Sequence, residues 1–134
     1  MKTFKIKTIP GGICAARGFK ANGIHCGIRK NKSKSDLALI VSEIPANAAA
    51  VYTKNAVKGA PLTVTKRHLS NGRAQAIICN SGNANTCNAN GIEIAEEMSL
   101  LVEKHTGISA QDVIVASTGV IGQPLSIDPI ANGM

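Results

Sequence analysis

The chain is poor in aromatic residues. Its 134 residues include no tryptophan, one tyrosine and two phenylalanines, although 44% of the residues are hydrophobic. The core must therefore be built from Ile, Val, Leu and Ala, which suit close-packed layers of helix and sheet. Nucleic-acid bases would find almost no rings on which to stack, so the formal charge of +7 does not by itself indicate nucleic-acid binding. We rank that function last and expect the basic run from Arg29 to Lys34 to be a solvated loop.

The chain also lacks paired cysteine motifs and long apolar runs. No CxxC pair occurs among Cys14, Cys26, Cys79 and Cys87, and the histidines, His25, His68 and His105, stand far apart. We expect reduced, mostly buried thiols with no bound cofactor and no metal site, while convergence of Cys and His in space stays open. No stretch has the length of a membrane span and the N-terminus lacks the apolar core of a signal peptide. We therefore expect no membrane partner and a cytoplasmic location.

The order of apolar runs and turns predicts a single α/β domain over residues 1–134, a mixed-sheet layered sandwich with helices outside. The expected strands are an edge strand at 4–8, a hairpin over 13–28 turning at 20–22, a central strand at 36–42 covered on both faces and ended by Pro45, and strands at 48–53, 74–79 and 112–116. Helices are expected from Pro61 to Asn71-Gly72, from the region of Ile94 to a stop at Gly107 with Met98 in the core, and from Ser126 and Asp128 onward.

Two polar segments follow apolar strands and are candidates for a site. In the first, Ser117, Thr118 and Gly119 combine hydroxyl groups with a glycine whose backbone can approach a reacting group, as in an oxyanion hole. Taken alone, such a tripeptide is more often an ordinary turn. The second segment is either the lining of a site or, equally, a polar connection between a strand and a helix; its candidate lining residues are Asn80, Ser81, Gly82, Asn83 and Asn85.

These motifs, in this order, resemble the ornithine acetyltransferases, also called bifunctional glutamate N-acetyltransferases, of cyclic arginine biosynthesis. The segments that carry the resemblance are GFKANGIHCGI (18–28), DLALIVSEIPANAAAVYT (36–53), KGAPL (58–62), NSGNANTC (80–87) and VASTGVIGQPLSID (115–128). The resemblance implies the N-terminal part of the fold of that family. It also implies that Thr118 and Gly119 match the two residues that stabilise the oxyanion of the family's reaction.

The resemblance implies a reaction and partners. In the family, the precursor cleaves itself before a threonine, and this new N-terminal nucleophile takes acetyl from N-acetylornithine and passes it to glutamate. Some members also use acetyl-CoA as a co-substrate. The threonine begins a separate β chain, and the cleaved chains assemble as α2β2.

The resemblance further implies parts that these 134 residues do not contain. The family's threonine-rich substrate segment, the lysine near the cleavage junction, the junction itself and the β chain have no counterpart, so no threonine present is assigned as the nucleophile. We expect a truncated α-chain fragment of a self-cleaving acetyltransferase, inactive by itself and with apolar surface left uncovered. The alternative is a noncatalytic module that binds a small anion at 80–85 and 118–119, or that serves as an assembly partner.

Overall fold

The structure is a computed structural model and describes residues 5–134. Its strands are β1 (Phe19–Ile24), β2 (Leu37–Asn47), β3 (Arg73–Asn83) and β4 (Val113–Val120), and its α-helices are α1 (Ala60–His68), α2 (Gly91–Thr106) and α3 (Asp128–Gly133). The strands form a sheet of order β1-β2-β3-β4, in which β3 and β4 are parallel and the other pairs are antiparallel. The expected mixed-sheet α/β architecture is confirmed.

The core lies between one face of the sheet and the helices. Alternate residues of β2, β3 and β4 supply the sheet side, namely Leu37, Ala76, Ile78, Val113 and Val115, while Val64, Ile94, Met98, Val102 and Ile130 supply the helix side. Met98 is fully buried, as its helical spacing predicts. Within the described residues, no Phe or Tyr side chain belongs to this core, which agrees with the scarcity of aromatic residues.

The other face of the sheet carries a second apolar row. Ile40, Ile77 and Ile114 lie opposite one another on adjacent strands, and each remains partly exposed. None of the three belongs to the core described above. The expectation that the strand at 36–42 is covered on both faces is therefore wrong for the residues that the structure describes.

The predicted helices are confirmed. Pro61 lies in the first turn of α1, and a short 3-10 turn at Leu69–Asn71 carries that helix to Gly72, whose φ is 70°. α2 ends at Gly107, which adopts φ 75° and donates its N–H to the carbonyl of Glu103. Asp128 opens α3, and the hydroxyl of Ser126 accepts the backbone N–H of Asp128. No helix within residues 5–134 is both long and apolar enough to cross a membrane.

The predictions for the first thirty residues are wrong in three places. Residues 5–8 of the expected edge strand form no strand, and Phe4 lies outside the described residues. The proposed first arm of the hairpin contains a 3-10 helix, Gly12–Ala15. Residues 20–22 do not turn, because they lie inside β1 and pair with β2. The reversal is instead made by the basic loop between β1 and β2.

The region around Pro45 also differs from the prediction. Pro45 does not end β2, which continues to Asn47 after a shift of register between Val41 and Ala46. Such an irregularity accommodates a proline, which has no N–H to donate to the ladder. The strand expected at 48–53 does not form.

Candidate functional site at the ends of the parallel strands

The two polar segments lie side by side in the sheet. Both lie largely in strands, because β3 extends to Asn83 and β4 to Val120, so no turn forms at 117–119 or at 80–83, while Asn85 lies in the loop that follows β3. Their register pairs Ser81 with Thr118 and Gly82 with Gly119. Parallel pairing thus brings together two stretches that are 37 residues apart in the sequence.

Glycine is required where these strand ends meet. Gly82 has φ 143° and Gly119 has φ 134°, a backbone conformation that residues with a Cβ rarely adopt. A Cβ on Gly119 would lie 2.3 Å from the carbonyl carbon of Gly82, so any side chain there would push the strands apart. Gly119 is expected to let the backbone approach a reacting group, and the packing of β3 against β4 also requires glycine at this position.

The direction of the Gly119 N–H follows from its neighbours on β4. Val115 turns its backbone away from β3, because its N–H and its carbonyl bond to the hydroxyl of Thr65 at 3.0 and 2.9 Å. Backbone groups alternate in direction along a strand, so the N–H groups of Ser117 and Gly119 should point away from β3, as that of Val115 does. On this side of β4 lies the first turn of α1. The carbonyl of Val120, one residue further, accepts an N–H on the β3 side, as alternation requires.

A cavity of about 350 Å³ lies on this outer edge of β4. Thr118 and Gly119 line it on one side, and Gly59 and Pro61 at the start of α1 line it on the other. The beginning of α1 carries no side-chain cap, so the partial positive charge of the helix end adds to the local attraction for an anion. Within residues 5–134 the exposed hydroxyl of Thr118 has no hydrogen-bond partner and is free to donate to a ligand. Donors of this kind stabilise an oxyanion that forms during acyl transfer.

The side chains of the segment 80–85 hold the loop together. Asn83 donates to the carbonyl of Gln123 at 2.9 Å and accepts the N–H of Asn85 at 2.8 Å, while Asn85 donates to the carbonyl of Gly91 at 2.7 Å. Both asparagines are buried and do not line the cavity beside Thr118. Asn85 adopts φ 48°, a conformation that asparagine tolerates better than most residues.

The remaining candidates in that segment have different surroundings. Asn80 is fully buried and donates to the hydroxyl oxygen of Ser117 at 2.9 Å, and its own side-chain oxygen has no partner within the described residues. The carbonyl of Ser81 accepts the Nε–H of Arg29 at 2.8 Å. Gly82 lines a second cavity, next to the basic loop, and does not line the first.

Sequence reasoning missed Asp36, the buried acidic residue that organises the basic loop. It is 1% exposed and accepts the backbone N–H groups of Cys26, Gly27 and Arg29, at 2.7, 3.3 and 2.8 Å, while His25 Nδ1 lies 3.1 Å away. Burial by itself would raise the pKa of Asp36, but hydrogen bonds from the backbone N–H groups of Arg29 and Cys26 and from the Cys26 thiol, together with the charge of His25, outweigh it and lower that pKa. An Asp that directly precedes an apolar strand after a polar loop is the only sequence signal for this role.

The cysteines form no catalytic or metal site within the described residues. Cys26 lies beside Asp36 and His25, but burial, reinforced by a hydrogen bond to Asp36, raises the pKa of its thiol to about 11, so it stays protonated and poorly nucleophilic. No cluster of metal-binding side chains occurs in residues 5–134. All four cysteines are free, as expected, but Cys14 and Cys87 are exposed, so the expectation of mostly buried thiols is wrong.

The fold and the cavity define a mixed-sheet α/β protein with oxyanion-type donors at the ends of two parallel strands. The chain belongs to the ArgJ family, whose model matches residues 20–134. It is 48% identical over 126 residues to the arginine biosynthesis bifunctional protein ArgJ of Bacillus cereus, covering 92% of this chain and 30% of that protein. It is 45% identical over 130 residues to the ArgJ protein of Caldanaerobacter subterraneus, covering 96% and 32%.

Solved structures agree with this assignment. The crystal structure of ArgJ from Bacillus halodurans matches with a TM-score of 0.86 and 44% identity, over 92% of this chain and 64% of that one. Ornithine acetyltransferase from Mycobacterium tuberculosis, solved in complex with ornithine, matches with a TM-score of 0.78 and 38% identity, over 89% and 65%. The chain spans 30–32% of the length of the curated relatives named above and corresponds to their N-terminal part.

Proposed function

We propose that this chain supplies the oxyanion-stabilising part of an acetyl-transfer site of arginine biosynthesis. The reaction moves acetyl from N-acetylornithine to glutamate, with acetyl-CoA as a further donor in a bifunctional enzyme. The observation that carries the proposal is the geometry of β4, where one cavity is bordered by the Thr118 hydroxyl, which has no partner within residues 5–134, and by Gly119, whose N–H is directed outward by the alternation along the strand. The membership of the ArgJ family supplies the reaction class.

The proposed mechanism assigns the chemistry to two chains. A threonine at the start of a separate β chain attacks the acetyl carbonyl of N-acetylornithine, its own α-amino group takes the hydroxyl proton, and the carbonyl oxygen becomes an oxyanion. The amide C–N bond then breaks, ornithine leaves with that proton, and the acetyl group stays on the threonine as an ester. The hydroxyl of Thr118 and the N–H of Gly119 donate to this oxygen, and they do so again when glutamate takes the acetyl group from the threonine. Self-cleavage of a precursor creates the threonine terminus, and the cleaved chains assemble as α2β2. We place this biosynthetic enzyme in the cytoplasm.

Co-expression tests this proposal. The chain is produced together with the threonine-initiated β chain and the intervening segments of a relative such as the Bacillus halodurans protein, and the resulting assembly is assayed for formation of ornithine and N-acetylglutamate. Thr118→Ala should lower kcat on the order of a hundredfold or more, since it removes one donor to the oxyanion. Thr118→Ser keeps the hydroxyl and should retain most of the activity.

Two controls make the result specific. Thr63→Ala changes an exposed threonine on α1 and should leave kcat unchanged. The 134-residue chain alone should show no transacetylase activity, because it lacks the proposed nucleophile. Activity in the isolated chain, or an unchanged kcat in Thr118→Ala, would contradict the proposal.

A further inference from the structure

We propose that the cavity beside Arg29 is an oxyanion-binding subsite, which holds a carboxylate or phosphate of the molecule whose carbonyl reaches Thr118 and Gly119. The cavity has a volume of about 640 Å³ and is lined by Arg29, Lys30, Gly82 and Gly119, among others. Gly119 lines this cavity and the one that contains Thr118, so a single ligand can extend from one to the other. The link to a reacting carbonyl rests on the proposed function.

Arg29 is held in place before any ligand binds. Its backbone N–H donates to buried Asp36, and its Nε–H donates to the carbonyl of Ser81 at 2.8 Å. Gly82 lets the side chain lie across β3, because a Cβ there would come within 2.9 Å of Arg29 Cγ. Anchoring at Nε leaves the two Nη groups without a hydrogen-bond partner in residues 5–134. A fixed guanidinium of this kind binds carboxylate or phosphate with little further loss of side-chain freedom.

The charge around the cavity favours an anion. Its lining includes the cations Arg29 and Lys30 and the polar residues Asn31 and Gln123, and no acidic residue lines it. Asp36, which binds the backbone N–H of Arg29, is buried and also accepts hydrogen bonds from the backbone N–H groups of Cys26 and Gly27, with His25 beside it. The positive charge of Arg29 is therefore not consumed by a salt bridge within the described residues.

Direct binding measurements test the subsite in the co-expressed assembly. Titration calorimetry with inorganic phosphate and, separately, with acetate should detect binding that weakens roughly tenfold or more in Arg29→Gln, the loss expected for a charge-assisted hydrogen bond. Lys30 is exposed, and its side chain makes no hydrogen bond or salt bridge within residues 5–134, so Lys30→Gln should weaken binding severalfold without disturbing the fold. The matched control Lys66→Gln, which removes an exposed cation on α1, should change nothing.

The two anions distinguish the source of the ligand group. Tighter phosphate binding assigns the subsite to a phosphate-bearing acyl donor, and equal or tighter acetate binding assigns it to the carboxylate of an amino-acid substrate. Failure of both anions to bind, or equal affinity in the parent, Arg29→Gln and Lys30→Gln, overturns the proposal.

Steady-state kinetics separates this proposal from the acetyl-transfer assignment. Arg29→Gln should raise the KM of the anionic substrate tenfold or more with a smaller change in kcat, whereas Thr118→Ala should lower kcat. If Thr118→Ala has no effect while anion binding still depends on Arg29, the acetyl-transfer assignment fails and the subsite stands. If Thr118→Ala lowers kcat while Arg29→Gln changes neither affinity nor KM, the subsite fails alone.

Discussion

The hydroxyl of Thr65 should contribute several times as much to the free energy of unfolding as an ordinary hydrogen bond does. Thr65 is 6% exposed, and its hydroxyl both donates to the carbonyl of Val115 and accepts the N–H of the same residue. β4 is the last strand of the sheet that residues 5–134 form, so this hydroxyl bonds to Val115 on the side where a neighbouring strand would otherwise pair. Replacement by valine keeps the shape and leaves a buried N–H and a buried carbonyl without partners.

The magnitude follows from those two groups. Each buried polar group left unsatisfied costs about 1 to 3 kcal/mol, so the two groups together should lower the free energy of unfolding of Thr65→Val by about 2 to 6 kcal/mol. Threonine and valine have similar helix propensities, so α1 itself contributes little to the difference. Urea unfolding followed by circular dichroism measures the loss, and hydrogen exchange at the Val115 amide should accelerate in the same variant.

Two companion variants complete this test. Thr63→Val makes the same chemical change at an exposed position of α1 and should stay within about 0.5 kcal/mol of the parent. Thr65→Ser keeps the hydroxyl and should recover most of the stability. A Thr65→Val variant as stable as Thr63→Val, with unchanged exchange at Val115, would refute the reasoning that the helix substitutes for a missing strand.

The remaining predictions concern titratable groups. Because the pKa of Asp36 is lowered in the folded chain, its stabilising effect should be complete above the ordinary carboxyl pKa and should disappear as the pH falls through the lowered value. At neutral pH, the free energy of unfolding of Asp36→Asn should therefore be lower than that of the parent chain. Urea titrations at several pH values should also show that the variant loses less stability than the parent as the pH falls. Iodoacetamide labelling followed by mass spectrometry at pH 8 should modify Cys14 and Cys87 first, while Cys26 and Cys79 react slowly because burial raises their thiol pKa values. Rapid labelling of Cys26 would contradict that assignment.

The sequence predicted helices better than edge strands, because the pattern that specifies a helix lies within the helix itself. The apolar stripe of α2 and the glycine after it gave both the existence and the end of the helix, because a helix makes its hydrogen bonds within itself. β1 shows the opposite case. Asn22 and Gly23 are turn formers, yet they lie in an exposed edge strand because β2 offers a complete row of backbone partners. No local signal in the sequence specifies that distant partner.

Pairing with a distant strand also overrides local turn signals at the candidate site. Small polar residues and glycines at Ser117–Gly119 and at Asn80–Asn83 indicated turns, and the structure continues both as strands. The two glycines adopt positive φ and still pair, since a Cβ on Gly119 would collide with the backbone of Gly82, and a Cβ on Gly82 would collide with Ile28 and Arg29. Sequence reasoning could name the residues of the site but could not place the two segments in parallel register. That register depends on the connection through α2, which returns the chain so that β4 lies parallel beside β3.

Asp36 shows how one buried charge changes the interpretation of a basic loop. From composition, Arg29 and the lysines after it were equivalent solvated cations. The carboxylate of Asp36 binds the backbone N–H of Arg29 but not that of any lysine in the loop, and the side chain of Arg29 then bonds to β3. Removal of the Asp36 charge should therefore loosen Arg29 at the same time as the loop, so Asp36→Asn should weaken anion binding beside Gly119 although Asp36 itself does not line that cavity. Anion affinity that survives Asp36→Asn in a folded protein would show that the guanidinium is positioned by Ser81 alone.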